Sequence, residues 1–384
     1  ETKSNFIRFR YTSRGIQTVI YLDNAATTKP KQAVIDAINK CLIETWGNPS
    51  SLHTLGRDAK KVVDENRKIV ADFIGAKPEE IIFTSGACEA NSLAICGYLN
   101  GRHELLVTTS IEHKSIINIA NAYPAKSIVI QVNKDGLGDL YQLERTLKSL
   151  SFFSKPLVSI QYANNEIGTI QDMQSISEIV HHYRGVLHTD ATQIIPDREI
   201  DIRGIDMLSF SGQKLGAPKG IGVLYVRDGI ELSPIIYGSQ EQSRRGGTEN
   251  VPYIAGLGAA INELEYNKGS IRDYFIRKVL KEIDDTYLVG NAYRLKNNAS
   301  ICFRGISGEL LLLMLNERGI YASSGSACNH EPSHVLKAIG LSDDDIASTV
   351  RFTFGDQTKD DVDFVVDNIV EIVGILRKFN KAGV

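Results

Sequence analysis

Residues 186–214 read VLHTDATQIIPDREIDIRGIDMLSFSGQK. Val186–Asp190 and Asp206–Phe210 are short β-prone runs, read as successive strands with one αβ unit between them. Each run finishes in polar chemistry. Asp190 closes the first, and Ser211, Gly212, Gln213 and Lys214 follow the second. In an open sheet of parallel strands, ligands bind beyond the carboxyl ends of the strands. The residues just after each run are therefore where function is to be sought.

Working outward, the same rhythm covers most of the chain. Further strand candidates are Ile81–Phe83, Leu105–Thr108, Ile128–Val132, Leu157–Gln161 and Gly222–Val226, with amphipathic stretches between most of them. Lys31–Trp46 and Arg57–Ile74 carry apolar residues at helical spacing, and Gly75 is a natural stop for the second. Strands alternating with helices predict an α/β fold, a mainly parallel sheet covered by helices on both faces. After about residue 267 helices dominate. The division expected is a large domain over 31–267 and a smaller α+β domain built from 1–30 and 268–384.

Composition bounds the class. The chain has 384 residues, 42% of them hydrophobic and 23% charged, which suits a globular protein of two domains. Lys plus Arg number 43 against 46 Asp plus Glu, with no basic block, which argues against a nucleic-acid partner. No apolar run is long enough for a transmembrane helix. The first residues lack the apolar core of a secretory signal. The five cysteines are odd in number and form no CxxC pair, so a disulfide framework or zinc site is not expected and a reducing cytoplasm is. Cys41, Cys96 and Cys302 lie in apolar runs and read as core.

Several segments carry chemistry. Thr84-Ser85-Gly86-Ala87-Cys88-Glu89-Ala90-Asn91 follows a strand and opens a helix, an arrangement that can cradle a phosphate or simply start a helix. Asp190 can pair with a buried cation or cap a helix. Lys214, just past a strand, is either a solvated loop lysine or a desolvated Schiff-base former. One αβ unit separates Asp190 from Lys214, and together they suit opposite ends of a pyridoxal phosphate ring. Cys328, in Ser323-Ser324-Gly325-Ser326-Ala327-Cys328, lies among small residues and reads as an exposed nucleophile or a bystander thiol. His113 follows a strand and can stack on a flat cofactor or move protons. His181 and His182 fall on a polar helical face. His53, His330 and His334 are not spaced as metal ligands. Asn164-Asn165-Glu166 again follows a strand.

These segments, with Tyr21-Leu22-Asp23-Asn24-Ala25-Ala26-Thr27-Thr28, Glu112-His113-Lys114, Asp190-Ala191-Thr192-Gln193, Arg245-Gly246-Gly247-Thr248-Glu249-Asn250 and Arg351-Phe352, run in one order from about residue 20 to 370. The sequence resembles the pyridoxal-phosphate-dependent cysteine desulfurases, the NifS/IscS-like branch of the class V aminotransferase fold (fold type I). The resemblance implies that pyridoxal 5'-phosphate is held on Lys214, with Asp190 at the ring nitrogen, Gln193 at the phenolic oxygen and His113 stacked on the ring. Ala87, Cys88, Ser211 and Gln213 would surround the phosphate, and Thr248 would reach in from the other subunit of a homodimer. Asn165 and Arg351 would hold the carboxylate of L-cysteine. Cys328 would take the sulfur as a persulfide, releasing L-alanine, with His113 moving protons. A sulfur-acceptor protein, a scaffold or a thiolation enzyme, would then draw the sulfur into iron–sulfur clusters or thiolated products.

Four departures from the family pattern stand out. Gln213 replaces a histidine and Cys88 a threonine beside the phosphate. The loop after Cys328 is about three residues short, and the chain ends soon after its last helix. Other readings are a selenocysteine lyase or related class V lyase, and a non-catalytic assembly subunit that kept the fold. The Gly-Ser-Ala-Cys setting of Cys328 favours the desulfurase.

Overall fold

The computed structural model describes residues 9–12, 15–100, 105–150, 155–266, 269–290, 293–324 and 332–381. The chain divides into two compact units, one of Thr27–Asn164 and Thr169–Tyr266, the other of Glu1–Ala26, Asn165–Gly168 and Asn267–Val384.

The larger unit is built on seven strands: β1 Ile81–Thr84, β2 Leu106–Thr109, β3 Ser127–Ile130, β4 Leu157–Ser159, β5 Val186–Asp190, β6 Met207–Ser211 and β7 Gly222–Val226. Their order is β1-β7-β6-β5-β4-β2-β3. β7 runs antiparallel to both its neighbours and the remaining pairs are parallel. Six strands therefore share one direction, and their carboxyl ends line one edge. Successive residues serve opposite faces, as the strand period of two requires. Leu106 and Leu157 pack on one side with Leu93, Tyr98, Ile116 and Met207. Val107, Val158 and Leu187 pack on the other with Leu143, Met173 and Ile176. Burying each such side chain is worth roughly 1.5–3 kcal/mol.

The helix expected from Arg57 begins three residues earlier and spans Thr54–Ile74. His53 caps it, its ring accepting from Gly56 N, and Gly75 ends it in the left-handed region at φ 76°. His181 lies on the exposed face expected of it, and its Nε2 also meets buried Asp206 Oδ2 at 2.9 Å. Cys41 and Cys302 are buried, whereas Cys96 is only half-buried.

In the smaller unit an antiparallel sheet orders Thr286–Leu288, Asn298–Phe303 and Thr349–Thr353. Phe275, Phe303, Phe352, Phe354 and Ile369 form its core with the long helix Lys359–Lys381. Among the described residues no helix is long and apolar enough to cross a membrane.

Candidate active site

The shared strand edge of the larger unit collects most of the residues the sequence singles out. After β1 the chain turns through Gly86, at φ 155°, into the helix Ala87–Leu99, which has no side-chain cap at its start. Gly86 and Gly222 are pressed together: a Cβ on Gly222 would lie 2.5 Å from Gly86 Cα. A Cβ on Gly86 would point into space 3.7 Å from Ser211 Oγ at the end of β6. Two glycines thus hold open a backbone cradle at a positive helix end, between Ala87–Cys88 and Ser211. That is the chemistry of a phosphate site. Glu89, one residue further, is spent on Arg245, Oε1 to Nε at 2.7 Å.

Asp190 ends β5 and is buried. Its Oδ2 accepts from Asn91 Nδ2 at 2.8 Å and its Oδ1 from Thr192 N at 3.0 Å. Among the described residues it has no cation within ion-pair distance. A buried carboxylate supplied with hydrogen bonds but no counter-charge fits a ligand that brings a positive group. Behind it on the same strand lies His188, buried, with Nδ1 to Ser159 Oγ at 2.8 Å and Nε2 to Ser209 Oγ at 2.9 Å. Burial pushes this imidazole well below its ordinary range, so it stays neutral.

Lys214 closes the short helical turn Gly212–Lys214 after β6 and is half-buried. Its charge, like that of Asp190, is felt at the Cys88 thiol, which burial pushes up. Cys88 therefore marks the place where Asp190, Lys214 and the cradle come together. The Gln213 carbonyl accepts from Thr28 N and Oγ1, which fixes the turn carrying Lys214. Gln193 is half-buried, three residues past Asp190. Thr248 is exposed. It lines a 240 Å³ cavity with Thr84, Ser85, Arg245 and Glu249, and Asp190 and Lys214 lie outside that cavity.

His113 stands at the end of β2 as the cap of the helix Lys114–Ala122, its Nδ1 accepting from Ser115 N at 3.2 Å and meeting Ser115 Oγ at 2.8 Å. Ser115 Oγ accepts from Asn91 Nδ2 at 2.9 Å, so the network runs on to Asp190. Beside His113, Glu112 is wholly buried. It meets Thr109 Oγ1 at 2.5 Å and accepts from Gln161 N at 2.8 Å. Ile111 O takes Gln161 Nε2 and Asn164 Nδ2, tying the exit of β2 to that of β4.

In the smaller unit, Arg351 on Thr349–Thr353 is buried. Its Nη2 donates to Asp23 Oδ1 at 2.7 Å and its Nη1 to the Asn165 carbonyl at 3.1 Å, while its buried Nε has no partner among the described residues. Asn165 and Arg351, the two residues that the resemblance assigns to the substrate carboxylate, therefore meet, and among the described residues one guanidinium donor is left over. Ser323 pairs with Arg351 through backbone hydrogen bonds, and Ser333 Oγ meets Glu166 Oε2. Cys328 lies outside the described residues.

The sequence reading includes Asn91, Glu112, His188 and Asp23 inside its motifs without giving them work, and passes over Ser115. The available signal was polarity at positions that the strand and helix pattern buries.

The cradle, the uncompensated Asp190 and the nearby Lys214 fit pyridoxal phosphate. Ala87, Cys88 and Ser211 would hold its phosphate, and Asp190 its ring nitrogen.

A family model described as aminotransferase class-V matches residues 20–365. A protein named cysteine desulfurase IscS from Dictyoglomus turgidum is 40% identical, the match covering 93% of this chain and 95% of the relative. A solved structure titled NIFS-like protein superposes with TM-score 0.85 at 30% identity, covering 94% of this chain and all of the other. Another, titled SspA in complex with cysteine, superposes at TM-score 0.78 with 33% identity, covering 87% and 98%. The chain belongs to the class-V aminotransferase family and, within it, to the cysteine desulfurases of the IscS/NifS kind.

Proposed function

We propose that this protein converts L-cysteine to L-alanine, passes the sulfur through a persulfide on Cys328, and works as a homodimer with pyridoxal 5'-phosphate on Lys214. The observation that carries the reading is the placement of Asp190 and Lys214 at the ends of adjacent strands, beside an uncapped helix start. When bound, the cofactor supplies an electron sink for the pair left behind when the Cα proton departs. Asp190 keeps a proton on the ring nitrogen, because a buried carboxylate without a counter-charge favours a cation at its oxygens. Gln193 donates to the phenolic oxygen and His113 covers the ring. Arg351 holds the substrate carboxylate with its idle guanidinium edge, which fixes the amino acid against rotation. The Cys328 thiolate forms an S–S bond as the substrate's Cβ–S bond breaks, and that bonding pair stays with carbon, which leaves as alanine after protonation. The persulfide then passes to an acceptor protein, in a reducing cytoplasm, for iron–sulfur clusters or thiolated products.

The dimer is supported by the apolar surface around the helix Gln32–Glu44. Leu42, Ile43 and Trp46 are 58%, 75% and 68% exposed. Such an apolar patch on one face marks an interface. Trp46 and Leu42 line one hollow with Thr248, so a second copy covering this face would receive Thr248 as well.

The test is direct. Purified protein should be yellow, borohydride should bleach it and trap the cofactor on the Lys214 peptide, and L-cysteine should yield one alanine per sulfur released. Lys214→Ala protein that keeps the wild-type absorbance sinks the assignment.

A further inference from the structure

We propose that Ser115 and Asn91 are positioning residues that hold His113 as a single neutral tautomer, its proton on Nε2, and that Asp190 sets the direction of the chain between them. The argument is one of donors and acceptors. Both Asp190 oxygens accept, Oδ1 from Thr192 N and Oδ2 from Asn91 Nδ2. Turning the Asn91 amide over would set its oxygen against the carboxylate, two acceptors face to face, so its orientation is fixed. The same Nδ2 gives its second proton to Ser115 Oγ at 2.9 Å. A hydroxyl that accepts there has one proton left, and His113 Nδ1 lies 2.8 Å away. The Ser115 backbone N–H reaches Nδ1 as well, at 3.2 Å.

The backbone donor cannot be reversed, so Nδ1 is an acceptor, and the hydroxyl's remaining proton can meet the same lone pair. A neutral imidazole carries one proton, so that proton sits on Nε2. In the resting protein His113 presents an N–H donor to whatever binds over the sheet edge, and its one lone pair is occupied. On the desulfurase reading, on which this step rests, His113 orients an acceptor on the bound substrate and does not begin as the base that removes a proton.

Nitrogen NMR of histidine-labelled protein tests this without turnover, with His113→Gln identifying the signal among the eight histidines. Wild type should show a protonated Nε2 and a bare Nδ1. Ser115→Ala and Asn91→Ala should each reduce the ratio of that tautomer to the other by about fivefold, the worth of one ordinary hydrogen bond. Ser115→Thr, which keeps the hydroxyl, should restore it. A protonated Nδ1 in wild type, or an unchanged ratio in Ser115→Ala, overturns the inference. Because no substrate is needed, a protein that makes no alanine yet shows the Nε2–H tautomer supports the inference and counts against the desulfurase reading alone.

Discussion

Glu112 should keep a proton through neutral pH and make the larger unit's stability fall as pH rises. Three contacts favour its charged form: the Thr109 hydroxyl, the Thr109 backbone and Gln161 N. Burial opposes them, the Asp190 charge adds to it, and burial wins, raising the group from 4.5 to about 8. The folded protein thus holds a proton that the unfolded chain releases above 4.5. Stability is fully present below that value and is lost as pH climbs toward 8. Glu112→Gln keeps one acceptor and one donor at the same places but cannot ionise. Between pH 5 and pH 8 the wild type should lose about 3–4 kcal/mol relative to this variant, one proton at 1.36 kcal/mol per pH unit across the window. Urea unfolding followed by pulse proteolysis at pH 5, 6, 7 and 8 measures the difference, and other titrating groups cancel between the two proteins. A wild-type-minus-variant difference that is flat with pH refutes the reasoning, since the carboxyl would then be ionised in the folded state.

Four further outcomes are expected. Asp190→Asn should retain bound cofactor but lose about ten- to a hundredfold in turnover, the worth of one charge-assisted hydrogen bond in a transition state; near-normal alanine production contradicts the role. Gln213→His should slow cofactor dissociation about tenfold by replacing a neutral donor with a cationic one; unchanged or faster dissociation places Gln213 away from the phosphate. Arg351→Gln should raise the KM for L-cysteine about tenfold or more while changing kcat less, and an unchanged KM removes Arg351 from carboxylate binding. Trp46→Arg should shift the sedimentation of the protein from dimer to monomer, and an intact dimer assigns the exposed face around Trp46 to something other than a second copy.

The strands were legible because burial on both faces leaves a simple record. Val186–Asp190 and Gly222–Val226 are observed over the residues the sequence marks, and the other five strands of the large sheet lie within two residues of expectation. The order of strands was not legible, since nothing local says that β7 slots antiparallel between β1 and β6. The start of Thr54–Ile74 was missed because its cap is His53, a residue that seldom serves as one. At the site, single residues at strand ends could be picked out, but their partners could not. Asn91 lies 99 positions from Asp190 and Arg351 lies 328 from Asp23. Whether Glu112 carries charge depends on how deeply the sheet edge is covered, a property of the fold and not of its neighbours in sequence.

The chemistry available at the sheet edge follows from how that edge distributes charge. Glu112, His188 and Asp190 are all buried near the carboxyl ends of two parallel strands, and the Asp190 charge is felt at both of the others. Three ionised groups there would repel or pair among themselves and cancel. Burial settles the matter by neutralising two of them: Glu112 holds its proton and His188 goes without one. Both are then satisfied by hydroxyl and backbone partners, which cost nothing in charge. Asp190 is the one of the three that receives its donors as a carboxylate with no cation among the described residues, so it is the group for which a positive ligand atom gains most. Neutralising His188 also prevents it from supplying that cation itself. A lysine or arginine in place of His188 would satisfy Asp190 internally and leave a bound pyridine ring without a reason to hold its proton.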